Sequence, residues 1–287
     1  MLAASASFAT MNALAAALAR AHTPWEHAAF ARASLGFCFA LLIARARGAS
    51  LAVRDRRAMW TRSLAGSTSM LLTFYALTHM PLADATALLN TTPLWIAGLA
   101  YVTLGERPGR SVLAAIALAL LGVWFLQRPA FAQRDLTGLV ALAAGASSAL
   151  SMVSLRRLGG ETPEAVVVHF SAVASGFTAI AAIVRAVRTG VLTAPHGASS
   201  WAMLLAVGAT ATAGQLAMTR AYALDRAARV GAAGWAQVLF ALALDGVILH
   251  RWPRRSSAVG IALMLLAGIA LLEGARRERG HQRNGST

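Results

Sequence analysis

The residues of this chain able to do chemistry are carboxamides, hydroxyls, indoles and a carboxylate set inside long apolar runs. Asn90-Thr91-Thr92-Pro93 interrupts the run from Leu82 to Leu104. A carboxamide there needs several hydrogen-bond partners. Pro93 removes a backbone donor, which either frees carbonyls for a ligand or bends the helix around a neighbour. Asn12, Gln215 and Gln237 sit in other apolar runs, where they either bond a polar solute or glue helices together. Trp95 and Trp235 lie deeper than an interfacial belt requires and supply pocket walls or packing bulk. Tyr75 and Tyr222, near the ends of their runs, read as gates or as belt residues. Asp245 is the candidate for proton coupling, with pairing to an interfacial arginine as the other reading.

These groups are positioned by a membrane-embedded scaffold. The chain has 287 residues, 57% hydrophobic and 13% charged, with mean hydropathy +0.60, whereas soluble domains carry roughly 25% charged residues. Ten apolar segments follow in order: Leu2 to Ala19, Ala28 to Ala44, Ser63 to Leu77, Leu82 to Leu104, Val112 to Leu126, Leu136 to Leu155, Ala165 to Val184, Ala202 to Met218, Val230 to Leu249 and Ala258 to Leu272. They are too long and continuous for alternating barrel strands, and backbone groups in lipid must be satisfied internally, so helices are expected. The first run has no basic residue before it and reads as a span rather than a cleaved signal.

The net charge of +15 comes with no lysine; all 26 basic residues are arginines. With the N-terminus in the cytoplasm, 17 arginines fall on the inner side, Arg62 among them, 8 fall on the outer side, and Arg32 lies within a span. That asymmetry predicts both termini inside. The basic charge is a topology signal rather than a nucleic-acid surface, and Arg32 is expected to snorkel to the outer surface. The lone cysteine, Cys38, can form no intrachain disulfide.

The ten segments repeat. Thr23-Pro24 returns as Thr162-Pro163, Tyr75-Ala76-Leu77 as Tyr222-Ala223-Leu224, and the Arg107-Pro108 punctuation as Trp252-Pro253, at offsets of 139, 147 and 145. Five helices per half is an odd number, so the halves are inverted, an arrangement that can rock about a central site. The expected fold is all-α integral membrane, with ten transmembrane helices in two inverted five-helix repeats. Residues 1–126 form the first repeat, 127–135 the connecting loop, 136–272 the second repeat, and 273–287 a charged, disordered cytoplasmic tail.

Polar residues at helical spacing pick out the lining of a path. Helices 1, 3 and 4 carry Ser5 with Asn12, Thr68 with Tyr75, and Thr86 with Asn90 and Tyr101. Helices 6, 8 and 9 carry Ser147, Ser151 and Ser154, then Thr212, Gln215, Thr219 and Tyr222, then Gln237 and Asp245. Helices 5 and 10 are apolar all round and face lipid or a second copy, as in a homodimer. No zinc-spacing cluster, phosphate-cradling glycine loop or credible triad is present, so neither metal nor cofactor nor enzyme chemistry is expected.

The stretch PLADATALLNTTPLWIAGLAYVTLGERPGR, Pro81 to Arg110, closely resembles the fourth-helix signature of EamA-type members of the drug/metabolite transporter superfamily, and the position of Arg32 is similar to the family pattern. The resemblance implies ten helices in two inverted repeats and export or uptake of small metabolites, often amino acids or their analogues, through a central cavity by alternating access. In the second half Phe240 stands where Pro93 would recur, and His250 to Pro253 lacks the Gly105-Glu106 glutamate. The expected function is secondary transport of a small organic solute across the inner membrane. A membrane-embedded enzyme or a non-transporting structural subunit is the alternative.

Overall fold

The computed structural model describes residues 1–89, 91–104, 136–190, 197–224, 236–247, 258–263 and 265–270, with isolated positions at 114, 117, 118, 121, 122, 124, 125, 230 and 234. Among the described residues every regular element is helical. The helices are α1 (Leu2–Arg20), α2 (Trp25–Ala46), α3 (Arg56–His79), α4 (Leu82–Leu89), α5 (Thr92–Leu104), α6 (Thr137–Arg157), α7 (Pro163–Thr189), α8 (Gly197–Leu224) and α9 (Ala236–Val247), followed by an apolar helix at Ala258–Ala270. Among the described residues, α1, α2, α7, α8 and Thr137–Leu155 of α6 are long and apolar enough to cross a membrane.

Helix ends follow local chemistry. Asp55 caps α3 by accepting from the Ala58 N–H at 2.9 Å, and Thr162 caps α7 by accepting from Ala165 at 3.2 Å, with Pro163 pre-set for the first turn. Gly190 closes α7 in the left-handed region at φ 66°, where a Cβ would be strained.

Within the segment Leu82–Leu104, where Pro93 is expected to kink the helix, the described residues form α4 and α5 with a turn at Thr91. Pro93 has no N–H to offer the Leu89 carbonyl, and the neighbouring hydroxyls take that role: Thr92 Oγ1 donates to Leu89 O at 2.8 Å and Thr91 Oγ1 to Leu88 O at 2.7 Å. The backbone tightens into short-range turns, Thr91 N to Leu88 O and Leu94 N to Thr91 O.

The interior is built from small residues. Ala15, Ala28, Ala29, Ala33, Ala174 and Ala211 pack with Met11, Leu18, Phe74 and Val207 where α1, α2, α3, α7 and α8 meet, while Leu42, Ile180, Ile183, Val187 and Leu205 are exposed on the outside. Lipid tails are as apolar as leucine, so helices in a bilayer associate through close contact and hydrogen bonds rather than through a hydrophobic drive. The contacts here fit that rule. A Cβ on Gly208 would lie 2.5 Å from Leu35 Cβ, bringing α8 onto α2, and one on Gly214 would meet Phe8 of α1 at 2.9 Å. Ser69 Oγ donates to Ala144 O at 2.8 Å and Ser151 Oγ to Arg62 O at 3.0 Å, joining α3 to α6.

The principal neighbours are α3 with α6, α2 with α7 and α1 with α8. Next come α2 with α8, α3 with α7, α1 with α9, and α4 and α5 with α6. Sequence halves therefore interleave rather than forming separate bodies.

Candidate functional site

A cavity of about 160 Å³ opens where α1, α3, α6 and α8 converge, bordered also by α2, α4, α5, α7 and α9. Four of the residues singled out in the sequence line it: Asn12, Gln215, Tyr222 and Gln237. Asn12 is 2% exposed, and its Oδ1 has no hydrogen-bond partner among the described residues. Ser151 and Thr92 also reach the wall, each bonded to a neighbouring carbonyl.

Tyr75 and Trp95 lie elsewhere. Tyr75 stacks on His79 at 4.0 Å between ring centroids and meets Trp25 edge-on at 6.1 Å, away from the cavity lining. Trp95 is 43% exposed and donates from Nε1 to Thr91 Oγ1 at 3.2 Å, supporting the helix break. Asn90, Trp235 and the side chain of Asp245 lie outside the described residues.

The sequence reading missed the two strongest groups in the cavity. Arg62, counted with the loop arginines, stands in the second turn of α3 at 1% exposure, and its guanidinium faces the cavity. Its Nη2 donates to Gln215 Oε1 at 3.2 Å, its charge lies 4.3 Å over the Phe170 ring, and its Nε is unpartnered among the described residues. Gly66, one turn on, leaves the space this head occupies: a Cβ there would collide with Arg62 Nη1, Phe170 and Ser151.

Arg32 corrects an expectation. It does not snorkel outward but is buried, donates from Nε to Met11 Sδ at 3.1 Å, sits 5.9 Å from the Phe74 centroid and lines the same cavity. The outward route would carry it past the apolar exterior of α2, whereas inward it finds a polar space already shared by Asn12 and Gln215. The signal for Arg62 was present in RSLAGSTS, residues 62–69, a stretch too polar and too small to face lipid.

Among the described residues, no carboxylate lies in ion-pair reach of either guanidinium. The pairs Arg47–Glu164 at 2.9 Å and Arg185–Glu26 at 3.6 Å involve other arginines. What the cavity presents is a pair of cations, two carboxamides from α8 and α9, an orphan amide oxygen and several hydroxyls, enclosed by Phe8, Met11, Met70 and Phe170. Such a surface can hold a small polar solute by charge and hydrogen bonding, and among its described residues there is no activated nucleophile.

Residues 1–128 match the model of the EamA-like transporter family. The likeness is to an EamA-like transporter domain and spans 128 of the 287 residues. Over 274 residues the chain is 29% identical to the pseudopaline exporter CntI of Pseudomonas aeruginosa, covering 93% of each chain. The same-named exporter from a second strain of that organism is 26% identical over 270 residues at the same coverage. Human solute carrier family 35 member G1 is 24% identical over 219 residues, 72% of this chain and 59% of the relative. A solved crystal structure superposes with a TM-score of 0.70 at 21% identity, covering 95% of this chain and 97% of that one, which shows a shared fold. The chain is thus a multi-pass membrane transporter and not an enzyme.

Proposed function

We propose that the chain carries a small organic metabolite, an amino acid or similar solute, across the inner membrane by alternating access, in the direction of export, with no bound cofactor. The observation that carries this reading is the cavity lined by the buried polar side chains of Asn12, Arg32, Arg62 and Gln215, whose wall draws on helices from both halves of the sequence. At about 160 Å³ it is smaller than the roughly 300–1,000 Å³ of drug-sized ligand sites, which favours a small solute.

The architecture proposed for this motion is two inverted repeats of five helices. Support comes from the pairing of helices: exchanging each helix of the first half with its counterpart in the second converts the α1–α8 contact into α3–α6 and the α2–α8 contact into α3–α7. Two ion pairs obey the same exchange. Glu26 and Glu164 are 138 positions apart, as are Arg47 and Arg185, and each glutamate meets the other half's arginine, at opposite ends of the antiparallel α2–α7 pair. In this topology both termini are cytoplasmic. The cavity wall runs from Thr73 and Gly145 toward the bundle end that carries Met1, Met152 and Tyr222, which is then the cytoplasmic end, and this supports loading from inside.

The test is flux across sealed vesicles holding the purified chain, read against a metabolite panel. Wild-type protein is expected to move at least one polar solute without ATP, and replacement of both Asn90 and Gln237 by alanine is expected to lower that flux about tenfold or more while protein yield is kept. Wild-type flux in the double variant would remove these residues from the site, and absence of flux for the whole panel would count against transport. In the same vesicles Asp245→Asn is expected to abolish pH-driven accumulation; unchanged accumulation would remove Asp245 from coupling.

A further inference from the structure

We infer that the solute is a dianion, and that Arg62 and Arg32 are the residues that select it. This rests on the reading of the cavity as the transport site and adds to it the charge of what binds there.

Two guanidiniums line one small space between α2, α3 and α8, both more than nine-tenths buried. Each offers five N–H donors. The acceptors found for them among the described residues are Met11 Sδ, a weak one, and Gln215 Oε1, a neutral one. Their positive charges are met by the faces of Phe74 and Phe170 rather than by carboxylates. Removing an ion from water costs several kcal/mol even after relaxation, and an aromatic face returns about 2 kcal/mol when desolvated. The shortfall is met if a counter-ion enters with the solute.

The fine structure favours a receptor over a packing accident. Gly66 holds open the space over which the Arg62 head folds, Phe170 fixes the plane of the guanidinium, and Gln215 anchors one edge, leaving Nε turned away from any described partner. A planar fork held in this way suits the two oxygens of a carboxylate or phosphate. Two such forks balance two negative charges, and a neutral or cationic solute would leave them uncompensated. Asn12 Oδ1, an acceptor with no donor among the described residues, fits an N–H or O–H elsewhere on the same solute. Two carboxylates on one carbon chain and one phosphate ester meet these demands alike.

Equilibrium binding to the full-length chain in detergent tests this with four probes: succinate, glycerol 3-phosphate, butyrate and succinamide. At least one dianion is expected to bind about tenfold or more tightly than butyrate, and butyrate more tightly than succinamide. The stronger of the two dianions identifies carboxylate or phosphate as the recognised group. Arg62→Gln and Arg32→Gln are each expected to reduce the dianion to the affinity of butyrate. Arg62→Lys, which keeps the charge and the fold but loses the fork, is expected to weaken the dianion about tenfold and leave butyrate within threefold. The inference is overturned if succinamide or butyrate binds within threefold of both dianions, if none of the four binds, or if the arginine variants keep the preference. Binding is read here without flux. A protein that prefers dianions but moves nothing would defeat the transport reading alone, and flux of an uncharged solute with no anion preference would defeat this inference alone.

Discussion

Arg62→Met is expected to make the solute-free protein more resistant to heat while reducing solute flux about a hundredfold or more. The two effects have one cause. In the empty cavity the Arg62 charge is 1% exposed and has a neutral amide and an aromatic face for company. Replacing even a paired buried ion by well-packed apolar side chains of similar volume is often neutral or stabilising by about 1–4 kcal/mol. Against this stand one hydrogen bond to Gln215 and the contact with Phe170, together about 2–3 kcal/mol, so a gain from the upper part of that range leaves a net of about 1–2 kcal/mol. The melting temperature in detergent is expected to rise by roughly 2–5 °C. Flux falls because the solute loses a charge-assisted partner, a change worth about 2–5 kcal/mol. A merely structural arginine would behave in the opposite way: the melting temperature would drop, and flux would fall only with the amount of folded protein.

Gly208→Ala is expected to disrupt the contact between α2 and α8 that frames this site. The new methyl would lie 2.5 Å from Leu35 Cβ, an atom fixed to the α2 backbone and unable to rotate away. The two helices must separate, and overpacking of this kind costs about 1–3 kcal/mol. Arg32 is on α2 and Gln215 on α8, so separation also widens the cavity and moves one guanidinium from the other's anchor. Thermal unfolding and flux should both decline, and adding Leu35→Gly, which removes the opposing Cβ, should recover most of each. If Gly208→Ala alone melts like the wild type, the close approach of α2 and α8 is not needed.

Much of the scaffold was legible because membrane helices announce themselves by unbroken apolar length. The segments read at Leu2 to Ala19 and Leu136 to Leu155 lie within two residues of α1 and α6. The ends of α3 and α8 were read short, since each begins with polar residues that propensity assigns to loops: Arg56 and Arg57 in one, Ser199 and Ser200 in the other. The turn at Thr91 appeared in the sequence only as a kink, because whether hydroxyls replace the missing Pro93 bond is a matter of rotamers.

The site divides in the same way. Asn12, Gln215 and Gln237 stood out as carboxamides in apolar surroundings, and all three line the cavity. Arg62 did not stand out, since it follows two loop arginines by one and a half turns, and a long cationic side chain so near a helix start ordinarily reaches water. What turns it inward is the empty space at Gly66 and the Phe170 ring from a helix more than a hundred residues away, neither of which one local stretch reveals. Trp95 drew attention through its depth, but its indole serves Thr91 at the helix break.

In the proposed transport cycle the cavity around Arg62 is reached from both sides of the membrane in turn. Ser148 lines it from α6, and Cys38 is the chain's lone thiol. A Ser148→Cys, Cys38→Ala variant in sealed vesicles, labelled with a membrane-impermeant thiol reagent applied first to one face and then, in a separate sample, to the other, reports this access without knowledge of the solute. Labelling from each face is predicted. Labelling from one face only, or from neither, would contradict alternating access at this site.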